Sequence, residues 1–227
     1  MNATICQPAE PADEPGPRFP GEREISSLKR RFSTERLYID ECNVGLGVFA
    51  QRDLLPGEVI LALEGPMIDF AETKRRGTRE CMAIQIGPDQ YIDTRPPGVF
   101  VNHSCEPNSG IKGSQFLVAL RRIRKGEEIR YDYSTTMEEQ SFTMDCRCGA
   151  PTCRRIVMDF STLPRRLRDQ YLSQGIVMDF ILARLPDARD SDSPQSGRFE
   201  TRRVGDRRSV DCPGGASQCS AESADAD

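Results

Sequence analysis

Three cysteines within eight residues, in the segment CRCGAPTC, constrain this chain more than any other feature of its sequence. Cys146, Cys148 and Cys153 have the spacing C-x-C-x4-C, which places three soft thiolate ligands on one loop. Such ligands favour Zn²⁺, which is bound tetrahedrally and would take a fourth ligand from elsewhere in the chain. A zinc site closed by four protein ligands is structural rather than catalytic. The candidates for the fourth ligand are Cys42, Cys81, His103 and Cys105.

The composition and charge of the chain exclude several classes of protein. A net charge of −4 over 227 residues argues against a dedicated nucleic-acid-binding protein, which is usually basic, so we expect only indirect contact with nucleic acid. No apolar run approaches the roughly 18 residues of a membrane span, and the first residues lack the pattern of a signal peptide. The nine cysteines are an odd number, which fits reduced thiols or metal ligands better than a disulfide framework. We therefore expect an intracellular protein with no membrane contact, nuclear in a eukaryote and cytoplasmic in a bacterium.

The hydrophobic pattern predicts a mainly β domain followed by helices. Segments 163–172 and 176–185 have helical spacing, with Pro164 suited to a first turn and Gly175 to a C-cap. Short segments bounded by Gly or Pro indicate strands at 37–39, 58–63, 81–86, 90–93, 115–120 and 128–133, with a helical turn at 71–77. The predicted divisions are a disordered start over 1–29, a β domain over 30–135, a zinc segment over 136–155, a helical extension over 156–187 and a disordered tail over 188–227.

Two segments of the β domain repeat one pattern. AQRDLLPGEVI at 50–60 and ALRRIRKGEEI at 119–129 share Ala, Arg, Gly, Glu and Ile at the same spacing. We expect each segment to form a turn with its Gly near the corner and to lead into a strand. Because the pattern occurs only twice, it does not indicate a solenoid.

His103 is the only histidine of the chain, and it precedes Cys105 by two residues in FVNHSCEPNSG. A Cys–His protease needs the two side chains to converge from separate segments, with a third group that orients the imidazole, so this spacing disfavours one. A zinc-ribbon binding protein that uses CRCGAPTC alone would need a second C-x2-C knuckle or a basic aromatic surface. The sequence shows neither of these.

Four segments occur together in one order: NVGLGVFAQRDLLPGEVI (43–60), VNHSCEPN (101–108), GEEIRYDYS (126–134) and CRCGAPTC (146–153). Over roughly residues 34–155 the chain resembles the SET-domain protein lysine methyltransferases, with a post-SET zinc motif and no pre-SET module. The resemblance implies a mainly β fold, the β-clip or SET fold, of small curved sheets. It also implies that the NHSC segment is threaded beneath the YDY segment as a pseudoknot, an exception to the usual absence of threading.

The resemblance assigns roles to individual residues. The residues that it implies for binding the cofactor S-adenosyl-L-methionine are Gly45, Leu46, Gly47, Asn102, His103 and Tyr133. Glycine suits a close approach of the backbone to a ligand because it has no Cβ. The zinc ligands that it implies are Cys105, Cys146, Cys148 and Cys153. Residues i and i+2 of an extended segment share a side, so a bend near Pro107 would be needed to point His103 and Cys105 apart.

The implied reaction is methyl transfer to an exposed lysine of a histone or another basic protein. Tyr133 is implied as the catalytic hydroxyl beside the transferring methyl. Tyr131 would line the lysine channel, where a tyrosine tends to limit the number of methyl groups added. The alternative function is a catalytically weak SET module that binds protein or nucleic acid. The presence of Tyr133, Asn102 and the G-x-G segment favours the enzyme.

Two segments depart from the family pattern. Val99, Phe100 and Val101 stand where many members have an arginine-containing segment before the asparagine. Cys81 and Met82 stand where many members place an aromatic residue in the wall of the lysine channel. These departures bear on substrate choice and methylation state, and they leave the cofactor and zinc motifs intact.

Overall fold

The computed structural model describes residues 22–185, and most of their regular structure is β. The strands are β1 Leu37–Cys42, β2 Gly45–Ala50, β3 Val59–Ala62, β4 Met67–Ile68, β5 Ala83–Gly87, β6 Gln90–Asp93, β7 Asn102–His103, β8 Ser109–Lys112, β9 Phe116–Ala119, β10 Glu128–Tyr131, β11 Met144–Asp145 and β12 Ile156–Val157. The α-helices are α1 Glu22–Phe32, α2 Phe70–Arg75, α3 Arg165–Gln174 and α4 Asp179–Leu182. Short 3-10 helices cover Gly77–Met82, Gly98–Phe100, Tyr133–Thr136 and Phe160–Thr162. Within residues 22–185, no helix is both long enough and apolar enough to cross a membrane.

The strands form small sheets, which confirms the expected mainly β architecture. The sheet orders are β1-β2-β10-β7, β3-β9-β8, β4-β6-β5 and β11-β12. The predicted strands are present, β6 with its predicted bounds and the others with shifted ends. Cys81 and Met82 belong to a 3-10 helix before β5, and Tyr133 belongs to one after β10. Strands β4, β7, β11 and β12 are two residues long, which is too short for an alternating pattern to be recognised in the sequence.

The two repeated segments form similar turns that pair with each other. Leu54 and Ile123 occupy equivalent positions and exchange backbone hydrogen bonds of 2.8 and 3.0 Å. The Gly57 amide donates to the Ala119 carbonyl, and the Gly126 amide donates to the Ala50 carbonyl, both at 2.8 Å. Each alanine is the first residue of the opposite segment. Both glycines have φ of 80°, a conformation that favours glycine. The expected pair of turns is therefore confirmed, and their mutual pairing gives this part of the core an approximate two-fold symmetry.

Parallel pairing of β7 with β10 joins two segments that are distant in sequence, with His103 beside Tyr131. The pairing extends beyond the strand ends, because the Ser104 amide donates to the Tyr131 carbonyl at 3.0 Å. Two hydrogen bonds then join Asn108 to Arg130. The Asn108 backbone amide donates to the Arg130 carbonyl at 3.2 Å, and the Arg130 backbone amide donates to Asn108 Oδ1 at 2.9 Å. Since β10 also pairs with β2, the glycine-rich strand, the NHSC segment and the YDY segment lie side by side.

The helical extension packs against the β domain. Helix α3 ends at Gly175, which has φ of 63° and caps the helix as predicted. Helix α4 is shorter than predicted, because the segment before it is extended and bonded to the β domain. The Met178 amide donates to the Thr135 carbonyl at 3.2 Å. Ile176 packs so closely on Gly110 that a Cβ on that glycine would lie 2.7 Å from it.

Helix α1 lies where the composition predicts disorder up to residue 29. Its half-buried apolar residues Ile25, Leu28 and Phe32 recur with helical spacing, and Lys29 forms an ion pair with Asp40 on β1. Basic residues in the last turn also suit the negative end of the helix dipole. The difference arises because β1 supplies a packing surface that the local composition does not reveal. The rest of the predicted disordered start and the predicted tail lie outside the described residues.

The buried carboxylate of Asp132 joins three parts of the structure. It accepts two hydrogen bonds from the Arg154 guanidinium, both 2.7 Å, and one from the Tyr171 hydroxyl at 2.8 Å. Burial, together with the charge of Asp132, raises the pKa of Tyr171, so the hydroxyl keeps the proton that it donates. Arg154 follows the cysteine loop and Tyr171 lies on α3. Contacts to this one buried carboxylate therefore join the end of β10, the cysteine loop and the helical extension.

We expect Tyr171→Phe to lower the free energy of unfolding by about 1.5–3 kcal/mol, because Asp132 loses a donor while the ring still fills its site. Chemical denaturation of the two proteins measures this difference. Tyr38→Phe is the matched control, since Tyr38 stacks on Phe49 at a centroid distance of 5.6 Å and is only half-buried. Its effect should stay within about 0.5 kcal/mol. Equal effects of the two substitutions would contradict the role given to the Tyr171 hydroxyl.

Candidate active site and metal cluster

A cavity of about 400 Å³ is lined by strands β2, β7 and β10 and by the cysteine loop. Four of the six residues implied for cofactor binding line it: Leu46, Asn102, His103 and Tyr133. The other two, Gly45 and Gly47, are not among the residues that line this cavity in the described part of the chain. The structure therefore brings the separate motifs together around one space.

Asn102 is held by hydrogen bonds at the wall of this cavity. Its Nδ2 donates to Glu128 Oε1 and to the Leu46 carbonyl, both at 2.9 Å. A Cβ on Gly47 would lie 2.8 Å from Glu128 Oε1 and 3.3 Å from Asn102 Nδ2. Glycine at position 47 therefore leaves room for the Asn102–Glu128 contact, a reason for its presence that is separate from any contact with a cofactor. Gly45 has φ of 113°, which other residues rarely adopt.

A second cavity, of about 60 Å³, lies around the two tyrosines of the YDY segment. The rings of Tyr131 and Tyr133 are 4.8 Å apart between centroids and tilted by 43°. Cys81 and Met82, the residues that depart from the family pattern, form part of its wall. Polar groups also line it, including Gln85 and Glu139. The small cavity thus combines an apolar wall that contains sulfur side chains with a few polar side chains.

The two cavities share a wall. The residues that line both are Cys81, Met82, Thr94, Val99 and Tyr133. The Tyr133 hydroxyl donates to the Val101 carbonyl at 2.9 Å, and its backbone amide donates to His103 Nδ1 at 3.2 Å. These bonds fix the ring at the point where the cavities meet. Because the hydroxyl proton is directed to Val101, the Tyr133 oxygen can act only as an acceptor toward a third group.

Three cysteines and the histidine form a tight cluster. One ligand atom from each of His103, Cys105, Cys146 and Cys148 lies within 4.8 Å of the others. The Cys105 and Cys146 sulfurs are 3.7 Å apart, close to the roughly 3.8 Å between thiolates bound tetrahedrally at 2.3 Å from Zn²⁺. The donor set and this spacing both fit the metal. Of the four candidates for the remaining ligand, His103 and Cys105 are in the cluster, and Cys42 and Cys81 are not part of it within residues 22–185.

The sulfurs of the cluster compete for protons. The hydrogen bond with Cys146 holds the pKa of the Cys105 thiol below its usual range, and the same bond, followed by burial, raises the pKa of Cys146. Hydrogen bonds to Cys148 and Cys153 raise the pKa of Cys146 further. Cys153 is therefore within reach of Cys146, although it is outside the group of four. A divalent cation would remove this competition by allowing all the sulfurs to ionise.

The hydrogen bonds of His103 define its tautomer. Nδ1 accepts the Tyr133 amide, so in the neutral imidazole the proton is on Nε2, 3.3 Å from the Cys105 sulfur. In this tautomer Nε2 donates to sulfur and is not available as a ligand. The side chains of His103 and Cys105 lie on the same side of the segment, as alternation dictates. The chain does bend at Cys105, Glu106 and Asn108, near Pro107, but this bend does not point the two side chains apart as expected.

Two charged residues of the larger cavity were not predicted from the sequence. Glu128 and Arg130 line it from β10, where they alternate with the buried Ile129 and Tyr131. Arg130 also donates to the Cys148 carbonyl at 3.1 Å, which ties β10 to the cysteine loop. The signal that could have identified these residues is the two-residue period of the strand, because it places both of them on the face opposite the core.

Comparison with known proteins identifies the family of this domain. Residues 45–134 match the family model described as the SET domain. Histone-lysine N-methyltransferase 2B of Homo sapiens is 33% identical over 129 residues, which are 50% of this chain and 5% of that protein. Histone-lysine N-methyltransferase set-2 of Caenorhabditis elegans is 36% identical over 153 residues, 58% of this chain and 10% of that protein.

The matched residues include the glycine strand, the NHSC segment and the YDY segment. Together with the mainly β architecture of small sheets, they show that residues 45–134 form a SET domain. The chain spans only a small part of the curated relatives named above, at most 10% of their length.

We expect Asn102→Asp to destabilise the domain by about 1–3 kcal/mol, because it removes the amide donor and places a second carboxylate against Glu128. The free energy of unfolding, measured by denaturation at neutral pH, tests this. Adding Glu128→Gln to Asn102→Asp should recover part of the loss, because the new amide can donate to the new carboxylate. If the two substitutions are strictly additive, the contact does not have the importance given to it here.

Proposed function

We propose that this chain is an S-adenosyl-L-methionine-dependent protein lysine N-methyltransferase that acts inside the cell on a histone or another basic protein. The observation that carries the proposal is the position of Tyr133 in the wall between the 400 Å³ cavity and the 60 Å³ cavity. Transfer between two substrates requires the reacting groups to meet in one aligned geometry. The match to the SET domain and the similarity to histone-lysine N-methyltransferases support the same reaction.

The larger cavity is the proposed cofactor site. Leu46, Asn102 and His103 would form its wall, with Gly45 and Gly47 as further contacts through the backbone. When bound, S-adenosyl-L-methionine supplies an electrophilic methyl group on a sulfonium centre. The hydrogen bonds of Asn102 to Glu128 and Leu46 hold this wall in place before any ligand arrives. Such preorganisation reduces the ordering cost of binding.

The smaller cavity is the proposed lysine channel. A lysine amine has a pKa near 10.4 in water, so it is mostly protonated at neutral pH and cannot act as a nucleophile. An apolar wall that contains Met82 and Tyr131 disfavours the ammonium form and lowers that pKa. Tyr131 is only 3% exposed, which keeps its side of the channel dry. Its hydroxyl is the proposed limit on the number of methyl groups added.

Tyr133 is the proposed catalytic residue at the meeting point. Since its hydroxyl proton is directed to Val101, the oxygen presents acceptor character toward the amine and the electropositive methyl. This oxygen would orient the lysine nitrogen in line with the methyl and stabilise the partial positive charge of the transition state. The role concerns the transition state more than cofactor affinity.

The direct test is incubation of the purified chain with labelled cofactor, core histones and a lysine peptide array, followed by mass spectrometry of the products. Methyl-lysine in a peptide or histone supports the proposal. A chain that binds cofactor or peptide and forms no methyl-lysine would be the catalytically weak binding module instead.

Tyr133→Phe should reduce kcat for methyl transfer by about 10²-fold or more, within the range for removal of one transition-state contact. Cofactor affinity, measured by calorimetry, should change little, because the ring remains in the cavity wall. The contrary result is a variant that loses cofactor affinity while each bound cofactor reacts at the wild-type rate.

The cysteine cluster is a proposed structural Zn²⁺ site with Cys105, Cys146, Cys148 and Cys153 as ligands. The tautomer of His103 argues for Cys153 as the fourth ligand, because Nε2 carries a proton directed at sulfur. Cys153 also accepts the Arg155 amide at 3.4 Å, as Cys105 accepts the Arg154 amide at 3.4 Å. Amides that donate to both sulfurs stabilise their ionised form.

We expect one Zn²⁺ per chain by elemental analysis. The Co²⁺-substituted protein should have the absorption spectrum of four thiolate ligands. His103→Gln should keep that spectrum, whereas Cys153→Ser should weaken the sulfur-to-metal band and reduce zinc content. The opposite pattern, with the spectrum changed by His103→Gln alone, would make His103 the fourth ligand. Unchanged zinc in Cys105→Ser would remove Cys105 from the site.

A further inference from the structure

The small cavity contains a carboxylate that the proposed transfer does not yet use. Glu139 lines it together with Tyr131 and Tyr133. Its Oε2 accepts a hydrogen bond from the hydroxyl of Tyr91, a residue of β6 that is 3% exposed. Glu139 is therefore a partly buried residue of the proposed lysine channel, and the bond from Tyr91 holds its carboxylate.

Gln85, which also lines this cavity, has a side-chain polar atom that lacks a protein partner. Gln85 is 4% exposed, and its Oε1 accepts the Glu138 amide at 3.0 Å, which fixes the orientation of the side-chain amide. Its Nε2 is buried with no hydrogen-bond partner among the described residues. A buried donor of this kind is rarely left unsatisfied, so it indicates an acceptor beside Gln85 that the described residues do not supply. A space of about 60 Å³ is large enough for a water molecule.

The charged and titratable groups around Glu139 come from several elements. They are Tyr91 on β6, Lys74 on α2, Glu80 on the 3-10 helix and Asp159 before the last 3-10 helix. Burial raises the pKa of Glu139, while the hydrogen bond from Tyr91 and the charge of Lys74 lower it. Lys74 is already bonded to Glu80, so it is not a dedicated counter-ion of Glu139. A carboxylate with a raised pKa is a better proton acceptor near neutral pH.

We infer that Glu139 is the proton acceptor for the substrate lysine and acts through a water molecule that Gln85 Nε2 holds in the channel. The inference rests on the proposed lysine methylation. A methyl acceptor must lose a proton to expose its lone pair, and dehydration of the channel alone does not supply a destination for that proton. Gln85 donates to the water oxygen, the lysine ammonium donates to the same oxygen, and the water donates to Glu139. Three partners are the usual number for a buried water.

The step balances as a proton transfer followed by a displacement. An N–H bond of the ammonium breaks and its proton passes to the water, while an O–H bond of the water breaks and its proton passes to the Glu139 carboxylate. The neutral amine then uses its lone pair to form a bond to the methyl carbon, and the carbon–sulfur bond breaks with its electron pair left on sulfur. Glu139 returns its proton to solvent through its exposed side.

The test is the dependence of kcat/KM on pH, from about pH 4.5 to pH 10, for a lysine peptide that the wild type methylates. If Glu139 is the acceptor, the wild-type rate rises through the pKa of Glu139 and then stays level until the lysine itself titrates near 10.4. In Glu139→Gln the level region should disappear. The rate at pH 7.5 should fall by about 10²-fold. The deficit should shrink by about tenfold for each unit of rising pH, because hydroxide and solvent then remove the proton.

Two further variants separate this role from a structural one. Tyr91→Phe removes a bond that lowers the pKa of Glu139, so the acid limb of its profile should move to higher pH while the level region remains. Glu138→Gln is the matched control at the neighbouring position, where the side chain accepts the Ser161 amide, and its profile should match the wild type.

The possible outcomes distinguish this inference from the proposed function. A Glu139→Gln protein with a higher KM and the wild-type pH profile would make Glu139 a binding residue for the ammonium and overturn the inference. A wild type that methylates no peptide on the array, although it binds cofactor, would overturn the methyltransferase proposal and this inference with it. Loss of activity in Glu139→Gln that is equal at every pH would also contradict the proton-acceptor role.

Discussion

The neutralisation of one buried charge, the Asp132 carboxylate, holds this structure together. A buried carboxylate without partners would cost several kcal/mol, and here the compensating donors come from distant segments: Arg154 after the cysteine loop and Tyr171 on α3. Neither segment can move away without leaving the charge under-compensated. Asp132 lies between Tyr131 and Tyr133 in the chain, so the same constraint restrains both rings of the proposed channel. The helical extension is in this way part of the support of the site.

The site itself depends on the parallel pairing of β7 with β10. This pairing places His103 beside Tyr131 and brings Asn102 against Glu128. The consequence is that a wide cavity and a narrow one meet at a single ring, that of Tyr133. A transfer reaction needs this kind of arrangement, because two separately bound groups must be aligned while water is kept out. The small sheets are therefore best understood as a frame that fixes several short segments relative to one another.

His103 connects the cavity wall to the cysteine cluster. Its ring accepts the backbone amide of Tyr133 on one side and faces the Cys105 sulfur on the other, so a change in metal ligation would reach the tyrosine through two hydrogen bonds. Arg154 makes a parallel connection, since its amide bonds the Cys105 sulfur and its guanidinium bonds Asp132. A structural ion at the cluster would in this way stabilise the active site as well as the loop that binds the metal.

Local features of the chain were sufficient to predict six strands, namely β1, β3, β5, β6, β9 and β10, together with the two glycine turns at Gly57 and Gly126, the cap at Gly175 and the cysteine loop. Torsion preferences and residue spacing act over a few residues, and they did not indicate β2, β8 or the two-residue strands. The resemblance to SET domains then indicated which motifs would meet. The tertiary structure alone decided that Glu139 and Gln85 line the small cavity, that the segment before α4 is extended, and that the His103 ring faces the Cys105 sulfur. Each of these features depends on a partner that is distant in the chain. The partners are the Tyr91 hydroxyl, the Thr135 carbonyl and the Tyr133 amide, and the spacing of neighbouring residues does not indicate them.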